Sequence, residues 1–176
     1  MNVFVIGCLH FGHENMARWR GFRSSEEHDN HLIEQWNKTV NKRSKVFILG
    51  DVTMESSDHY YKLGKLLGNK HVILGNHDKA TDVPKLLQYC MKVSGPQKYK
   101  QMWLTHIPVH PIEFDYRIKL NIHAHIHHLD LNDPRYFHAD AARLDFKPIS
   151  IETIINNYLP QCQETLTPER KTTVKE

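Results

Sequence analysis

A chain of 176 residues, 40% of them hydrophobic, has room for one domain with a real core and little room for a second. Its formal charge of +3, from 23 basic and 20 acidic residues, is too mild to argue for nucleic-acid binding by electrostatics alone. Cys8, Cys90 and Cys162 are odd in number and form no Cys-x-x-Cys spacing, which excludes a disulfide framework and favours a reducing compartment. The apolar run at residues 3–6 is too short for a signal-peptide core, and no stretch approaches the roughly 18 apolar residues of a membrane span. The expectation is a soluble, cytoplasmic protein with no membrane partner.

The apolar opening at residues 2–7 reads as a buried strand that stops at Gly7, followed by a His-, Gly- and Arg-rich loop over 8–22. Residues 25–40 read as a helix, because Leu32, Ile33, Trp36 and Val40 share one face of a 3.6-residue period. Ser24 or Ser25 would cap it, with Glu26 and Glu27 in the first turn. Residues 46–49 form a second predicted strand, ending in Gly50-Asp51. A helix over 60–67 is weakened by Gly64 and ended by Gly68. A third strand at 71–74 ends in Gly75-Asn76-His77-Asp78, and a short helix over 82–89 carries Pro84 in its first turn. The second half is richer in strand. Residues 101–104 end at Thr105-His106, and residues 118–122 end at His123-Ala124-His125-Ile126-His127. A strand at 136–139 and a helix over 151–158 capped by Ser150 complete a domain over 1–160. The remainder, 161–176, is a polar tail without apolar period and is expected to be flexible.

Strands alternating with helices predict an α/β sheet covered on both faces. Open α/β sheets gather ligands at the carboxyl ends of their strands, and here five strand ends carry ligand-type side chains. Of 14 histidines, those at strand ends stand out, whereas His28, His31, His59 and His71 have no partner pattern and read as surface or helix-face residues. Imidazole, carboxylate and amide oxygen together suit a divalent metal, and a single carboxylate such as Asp51 can bridge two ions. His-x-His on an extended backbone would send its two rings to opposite sides. Two ions about 3.5–4 Å apart make the clamp used for phosphate-ester hydrolysis. His77-Asp78 reads as an imidazole held by a carboxylate and aimed at a leaving oxygen. Arg18, Arg20 and Arg23 with Trp19 and Phe22 form a basic-aromatic loop. A solvated loop packed by its aromatics is the plainer reading, and contact with a single-stranded nucleic acid the sharper one.

The order Cys8-Leu9-His10, Gly50-Asp51, Gly75-Asn76-His77-Asp78, His106 and Ala124-His125-Ile126-His127 resembles the calcineurin-like metallophosphoesterases. Their pattern is Asp-x-His, Gly-Asp, Gly-Asn-His-Asp or Glu, a lone His, and Gly-His-x-His. The stretches 10–15, 31–37 and 147–150 resemble a small bacterial and phage-type branch, and the likeness covers about residues 1–155. It implies a four-layer αββα sandwich and a phosphate-ester substrate, a phosphodiester (nucleotide-derived) ahead of a monoester, hydrolysed by attack of a metal-bound hydroxide on phosphorus. It implies two divalent ions drawn from Mn, Fe, Zn or Ni. One would be held by Cys8, His10, Asp51 and His127, the other by Asp51, Asn76, His106 and His125, with His77 as acid or transition-state stabiliser and Asp78 as its orienter. Two positions depart from the pattern. Ala124 stands where Gly is usual, which a negative φ would tolerate. Cys8 stands where Asp is usual. It either ligates as thiolate, favouring Zn or Fe over Mn or Mg, or is a small buried residue beside a weakened first ion. The second case leaves open an impaired enzyme serving as a binding scaffold.

Overall fold

The structure, a computed structural model, describes residues 2–54, 56–115 and 117–164. Most of the expected tail, 165–176, lies outside the described residues.

Five strands make the first sheet. β1 (Val3–Ile6), β2 (Lys45–Leu49), β3 (Asn69–Ile73) and β4 (Lys92–Ser94) run parallel, and β9 (Ile149–Ser150) closes the β1 edge antiparallel, in the order β4-β3-β2-β1-β9. A second sheet has the order β5-β6-β7-β8. There β6 (Met102–Leu104), β7 (Leu120–His123) and β8 (Tyr136–His138) are parallel, and β5 (Gln97–Tyr99) is antiparallel to β6. Alternation along each strand sorts side chains to the two faces of the first sheet. Phe4, Ile6, Val46, Ile48 and Val72 face a core that holds Leu32, Trp36 and Leu86; Val5, Phe47, Leu49 and Ile73 face Met102, Leu104, Leu120 and Ile122 of the second sheet.

The helices over the first sheet are α1 (Glu14–Trp19), α2 (Ser25–Thr39), a 3-10 helix at Ser57–Lys65 and the one-turn α3 (Val83–Leu86). Ser24 caps α2 by accepting from the Glu27 N–H at 3.1 Å, and Trp36 is fully buried, its indole donating to the Leu67 carbonyl at 3.0 Å. The expected helix over 60–67 is a 3-10 helix instead, with Gly64 in it. The expected loop over 8–22 contains α1, which His13 caps by accepting from the Met16 N–H at 2.9 Å. α4 (Ile151–Asn157) and α5 (Leu159–Glu164) add Ile151, Ile154 and Cys162 to the core shared by the two sheets. The first residues of the expected tail therefore belong to the fold.

The sandwich departs from four full layers. The outer face of the second sheet presents Trp103, Asn121 and Tyr136 to the segment 105–118, whose only helix among the described residues is one 3-10 turn at Pro111–Glu113. Asn121 Oδ1 accepts from the Val109 N–H at 2.9 Å, and the Tyr136 hydroxyl donates to the Val109 carbonyl at 2.8 Å, so this loop is pinned by polar groups of the sheet. Among the described residues no helix is long and apolar enough to cross a membrane.

Candidate metal centre

All the parallel strands point their carboxyl ends to one edge, and the loops leaving them continue to bond to each other. The Cys8 N–H donates to the Gly50 carbonyl at 3.0 Å, His10 to Asp51 at 3.0 Å, and Ala124 to His106 at 2.8 Å. Gly7 bridges the sheets: its N–H donates to Ala139 at 2.8 Å, and its carbonyl accepts from Ala141 at 2.9 Å. A Cβ on Gly7 would lie 2.6 Å from that of Ala124, so the alanine that replaces the pattern's glycine is accommodated by the bare backbone opposite. Ala124 is absent from the residues with positive φ.

The backbone at this edge is unusual. Cys8 (φ 55°), His10 (51°), Asp51 (51°), His125 (69°) and His127 (47°) all lie in the left-handed region, which costs non-glycine residues free energy. Such strain persists only where the surroundings over-determine it, and here it falls on the sequence-predicted ligands. It also corrects the expectation for His-x-His. The two rings diverge from consecutive left-handed turns, not from an extended strand. Gly50 (φ 71°) completes the turn into Asp51, and a side chain there would meet the Gly75 backbone at 2.5 Å and His106 Nδ1 at 2.7 Å.

Two triads of ligand atoms, each within 4.8 Å of one another, form: Cys8, His10 and His127, and Cys8, Asp51 and His106. The Cys8 sulfur is common to both, a position the sequence reading gave to Asp51 alone. Asp51 Oδ2 still lies between the halves, 3.3 Å from His106 Nε2 and 3.9 Å from His10 Nε2. His106 Nε2 also sits 2.9 Å from Asn76 Oδ1 and 3.1 Å from His125 Nδ1. The seven sequence-predicted ligands thus converge in one connected cluster.

The cluster fits a cation on its own chemistry. His106 Nδ1 lies 2.8 Å from the Leu49 carbonyl, which can only accept, so that nitrogen carries the proton. In the neutral ring, Nε2 then turns a lone pair toward the oxygens of Asn76 and Asp51. Both nitrogens of His10 are buried without a hydrogen-bond partner, which is costly for a polar side chain. A divalent ion would take the lone pair of His106 Nε2 and one of the two His10 nitrogens.

Protonation follows the same geometry. Burial pushes the Asp51 carboxyl up, but the His106 hydrogen bond and charge, aided by His10, bring it net below its ordinary value. Burial pulls His106 down, and Asp51 outweighs this, so a proton competes with any ion for that ring. Burial, with the charge of Arg20, lowers His10 to about 3, leaving it neutral and able to ligate. Burial raises the Cys8 thiol well above its usual value, reinforced by Asp140 and Asp51, while the His125 N–H donates to its sulfur at 3.2 Å.

His77 and Asp78 are arranged differently from expectation. The Asp78 carboxylate is taken up by backbone: Oδ2 accepts from the N–H groups of Asp51 at 2.7 Å and Gly75 at 2.8 Å, and Oδ1 from Val52 at 3.0 Å. It ties two ligand loops together instead of standing as a free orienter for His77. The His77 N–H donates to Asp51 Oδ1 at 3.1 Å, and its ring centroid is 6.5 Å from that of His10.

Residues missed in the sequence hold the cluster from behind. Asp140 Oδ2 is 2.9 Å from His127 Nδ1. Arg20 reaches Asp140 at 3.2 Å, donates to the Cys8 carbonyl at 2.8 Å, and lies 3.0 Å from His28 Nε2. His28 Nδ1 is 2.8 Å from Asp29, which also takes Lys62 and the Gly12 N–H. His28 is therefore fully buried, not on the surface, while His31, His59 and His71 are half-buried. Arg20, with 1% of its side chain exposed, is not available to a nucleic acid. Trp19 is exposed beside the site, its ring 5.8 Å from that of His127. Asp140 follows a strand as Asp51 does, a signal legible in the sequence; nothing there marked the partners of Arg20.

No protein-family model matches the chain. The uncharacterized protein MJ1445 of Methanocaldococcus jannaschii is 30% identical over 166 residues, 87% of this chain and 89% of that protein. The gene 66 protein of Mycobacterium phage D29 is 39% identical over 93 residues, 48% of this chain and 46% of its own length; that of phage L5 is 37% identical over 82 residues. Among solved structures, the protein of unknown function AQ665 from Aquifex aeolicus superposes with a TM-score of 0.68 at 22% identity, covering 88% of this chain and 98% of that one, which shows a shared fold.

Proposed function

We propose, for this chain, which belongs to the family of the uncharacterized Methanocaldococcus jannaschii protein MJ1445, a metal-dependent phosphoesterase activity of the calcineurin-like kind. The observation that carries the reading is the convergence of His10 Nε2 and His106 Nε2 on one oxygen, Oδ2, of the Asp51 carboxylate. Two stacked sheets with parallel strand ends on one edge support this reading, since the αββα sandwich of such enzymes is built on two such sheets.

His10, His127 and Cys8 would hold one divalent ion, Asp51, Asn76, His106 and His125 the other, with Asp51 and the Cys8 sulfur shared. Bound there, such ions supply Lewis acidity toward phosphoryl oxygens and lower the pKa of water. The chain's own part is to fix and desolvate the charges. Asp78 locks the Asp51 and Gly75 loops, and Asp140 orients His127. His77, half-buried and held by its backbone to Asp51, would donate the proton to a leaving oxygen. A phosphodiester is preferred over a monoester on the resemblance alone.

The test is elemental analysis of the purified protein together with turnover of bis(4-nitrophenyl) phosphate in added Mn. Two equivalents of metal and measurable turnover are expected. His77→Ala should cut turnover by roughly 100-fold or more while leaving the metal content intact. Turnover undiminished in that variant would remove His77 from the reaction. Absence of turnover in both the natural chain and Cys8→Asp, with the fold retained, would favour a binding scaffold.

A further inference from the structure

Beside the metal cluster opens a cleft of about 630 Å³. Leu74, Pro96, Trp103, Ile107, Pro108 and Val109 give it its apolar lining, Asn76 and His106 join it to the cluster, and Thr105, His110 and Glu113 complete it. Its volume is that of a small-molecule site, and its lining is mostly apolar with a few polar groups, the pattern of a site that takes an organic group. We infer that this cleft receives the organic group of the ester, as an aromatic or heteroaromatic ring, while the phosphoryl group lies at the ions; this rests on the phosphoesterase reading.

The walls are built, not left over. The 105–109 segment is tied to the second sheet by buried polar groups. Thr105 Oγ1 donates to the Ile107 carbonyl at 2.6 Å, and the Asn121 side chain, fully buried, accepts from the Val109 N–H at 2.9 Å and donates to Thr105 Oγ1 at 2.9 Å. A flat side chain lines the site: Trp103, with Lys98 Nζ 4.7 Å from its ring centroid. The indole N–H of Trp103 is buried and has no hydrogen-bond partner among the described residues. Ile107, more than half exposed, and the proline rings flank the opening with apolar surface that a ring would cover. His106 belongs to both the cluster and the cleft, so one ligand can reach both.

Two phosphonates that cannot be hydrolysed separate the claims. Phenylphosphonate and methylphosphonate are titrated calorimetrically into the full chain loaded with Mn. Phenylphosphonate should bind at least about tenfold more tightly. Ile107→Asn, at an exposed position, and separately Val109→Asn should each shrink that preference toward equality, with methylphosphonate affinity and bound metal unchanged. Equal affinities in the natural chain, or a preference untouched in both variants, would overturn the assignment of the cleft alone. Binding of neither phosphonate to a protein that holds two ions would overturn the phosphoesterase reading along with it.

Discussion

Cys8 is the residue on which the chemistry of the site turns. Its sulfur belongs to both ligand triads, accepts from the His125 N–H, and is held by a backbone turn that only strain or function would keep. A thiol raised by burial and by two nearby carboxylates must lose its proton to bind an ion, so ligation by sulfur links metal affinity to pH. Zinc affinity of the natural chain should climb with pH by about one proton more steeply than that of Cys8→Ser, or about tenfold more per unit. The serine variant should also bind zinc at least about 100-fold more weakly, beyond the roughly 10–100-fold that loss of a supporting group costs. Cys8→Asp should shift preference from zinc toward manganese, since a hard oxygen replaces sulfur. Competition titrations with a chromophoric chelator at pH 6, 7 and 8 read all three. Parallel pH slopes for the natural and serine chains would mean that Cys8 is a buried side chain beside the site and not a ligand.

At the scale of elements, the cluster depends on a chain of largely buried polar and charged groups that no motif announced. Lys62, Asp29, His28, Arg20, Asp140 and His127 run in sequence from the 3-10 helix through α2 and α1 to the loop after β7. Buried ion pairs add little net stability, but removing one member leaves its partner uncompensated, typically at a cost of about 3–5 kcal/mol. Asp140→Asn keeps the shape and removes the charge. His127 would lose the charged carboxylate that orients it, and the ion it shares with His10 should be held roughly 10–100-fold more weakly, with the second ion little changed. Retention of both ions through gel filtration in the variant would show that Asp140 is structural only. This arrangement marks the limit of reading the sequence. Strand ends such as Gly50-Asp51 and Gly75-Asn76-His77-Asp78 were legible because short-range pattern and ligand chemistry coincide there. α2 was legible because its apolar period and Ser24 cap are local. Arg20 looked like a solvated base because its partners, Cys8 and Asp140, are 12 and 120 residues away. Asp78 was misread for the opposite reason: adjacency to His77 suggested a pair, whereas its oxygens go to three backbone amides. The short β4, β5 and β9 carry too few residues for a period and are set by their neighbours in the sheets.

For the molecule as a whole, so many buried imidazoles make folding depend on pH. Burial lowers His123 to about 4, burial and Arg20 lower His10 to about 3, and burial with the stacked His123 ring lowers His138 to about 4. In the unfolded chain each takes up a proton near pH 6.5; in the fold each refuses it until two or more units lower. The unfolded state therefore binds more protons across this window, and stability present above pH 6.5 is lost as the pH falls toward 4. His123, 1% exposed, contributes roughly 3 kcal/mol of that change by itself. His106 works against it, since its folded pKa is raised and its share grows as the pH drops, but it stands alone against these three and against His28, His71 and His125, which burial also lowers. Asp140, lowered to about 2 by the His127 hydrogen bond and Arg20 against the effect of burial, adds its loss only below the usual carboxylate value, in a separate and more acid window. Urea denaturation of the metal-free protein from pH 7.5 to 4.5 should show a steadily falling midpoint, with the slope of free energy on pH corresponding to between one and three protons. His123→Gln should flatten that slope by about one. A midpoint that holds level across the range would mean that the imidazoles charge within the fold, and that the edge holding the site is open to water rather than sealed by the two sheets.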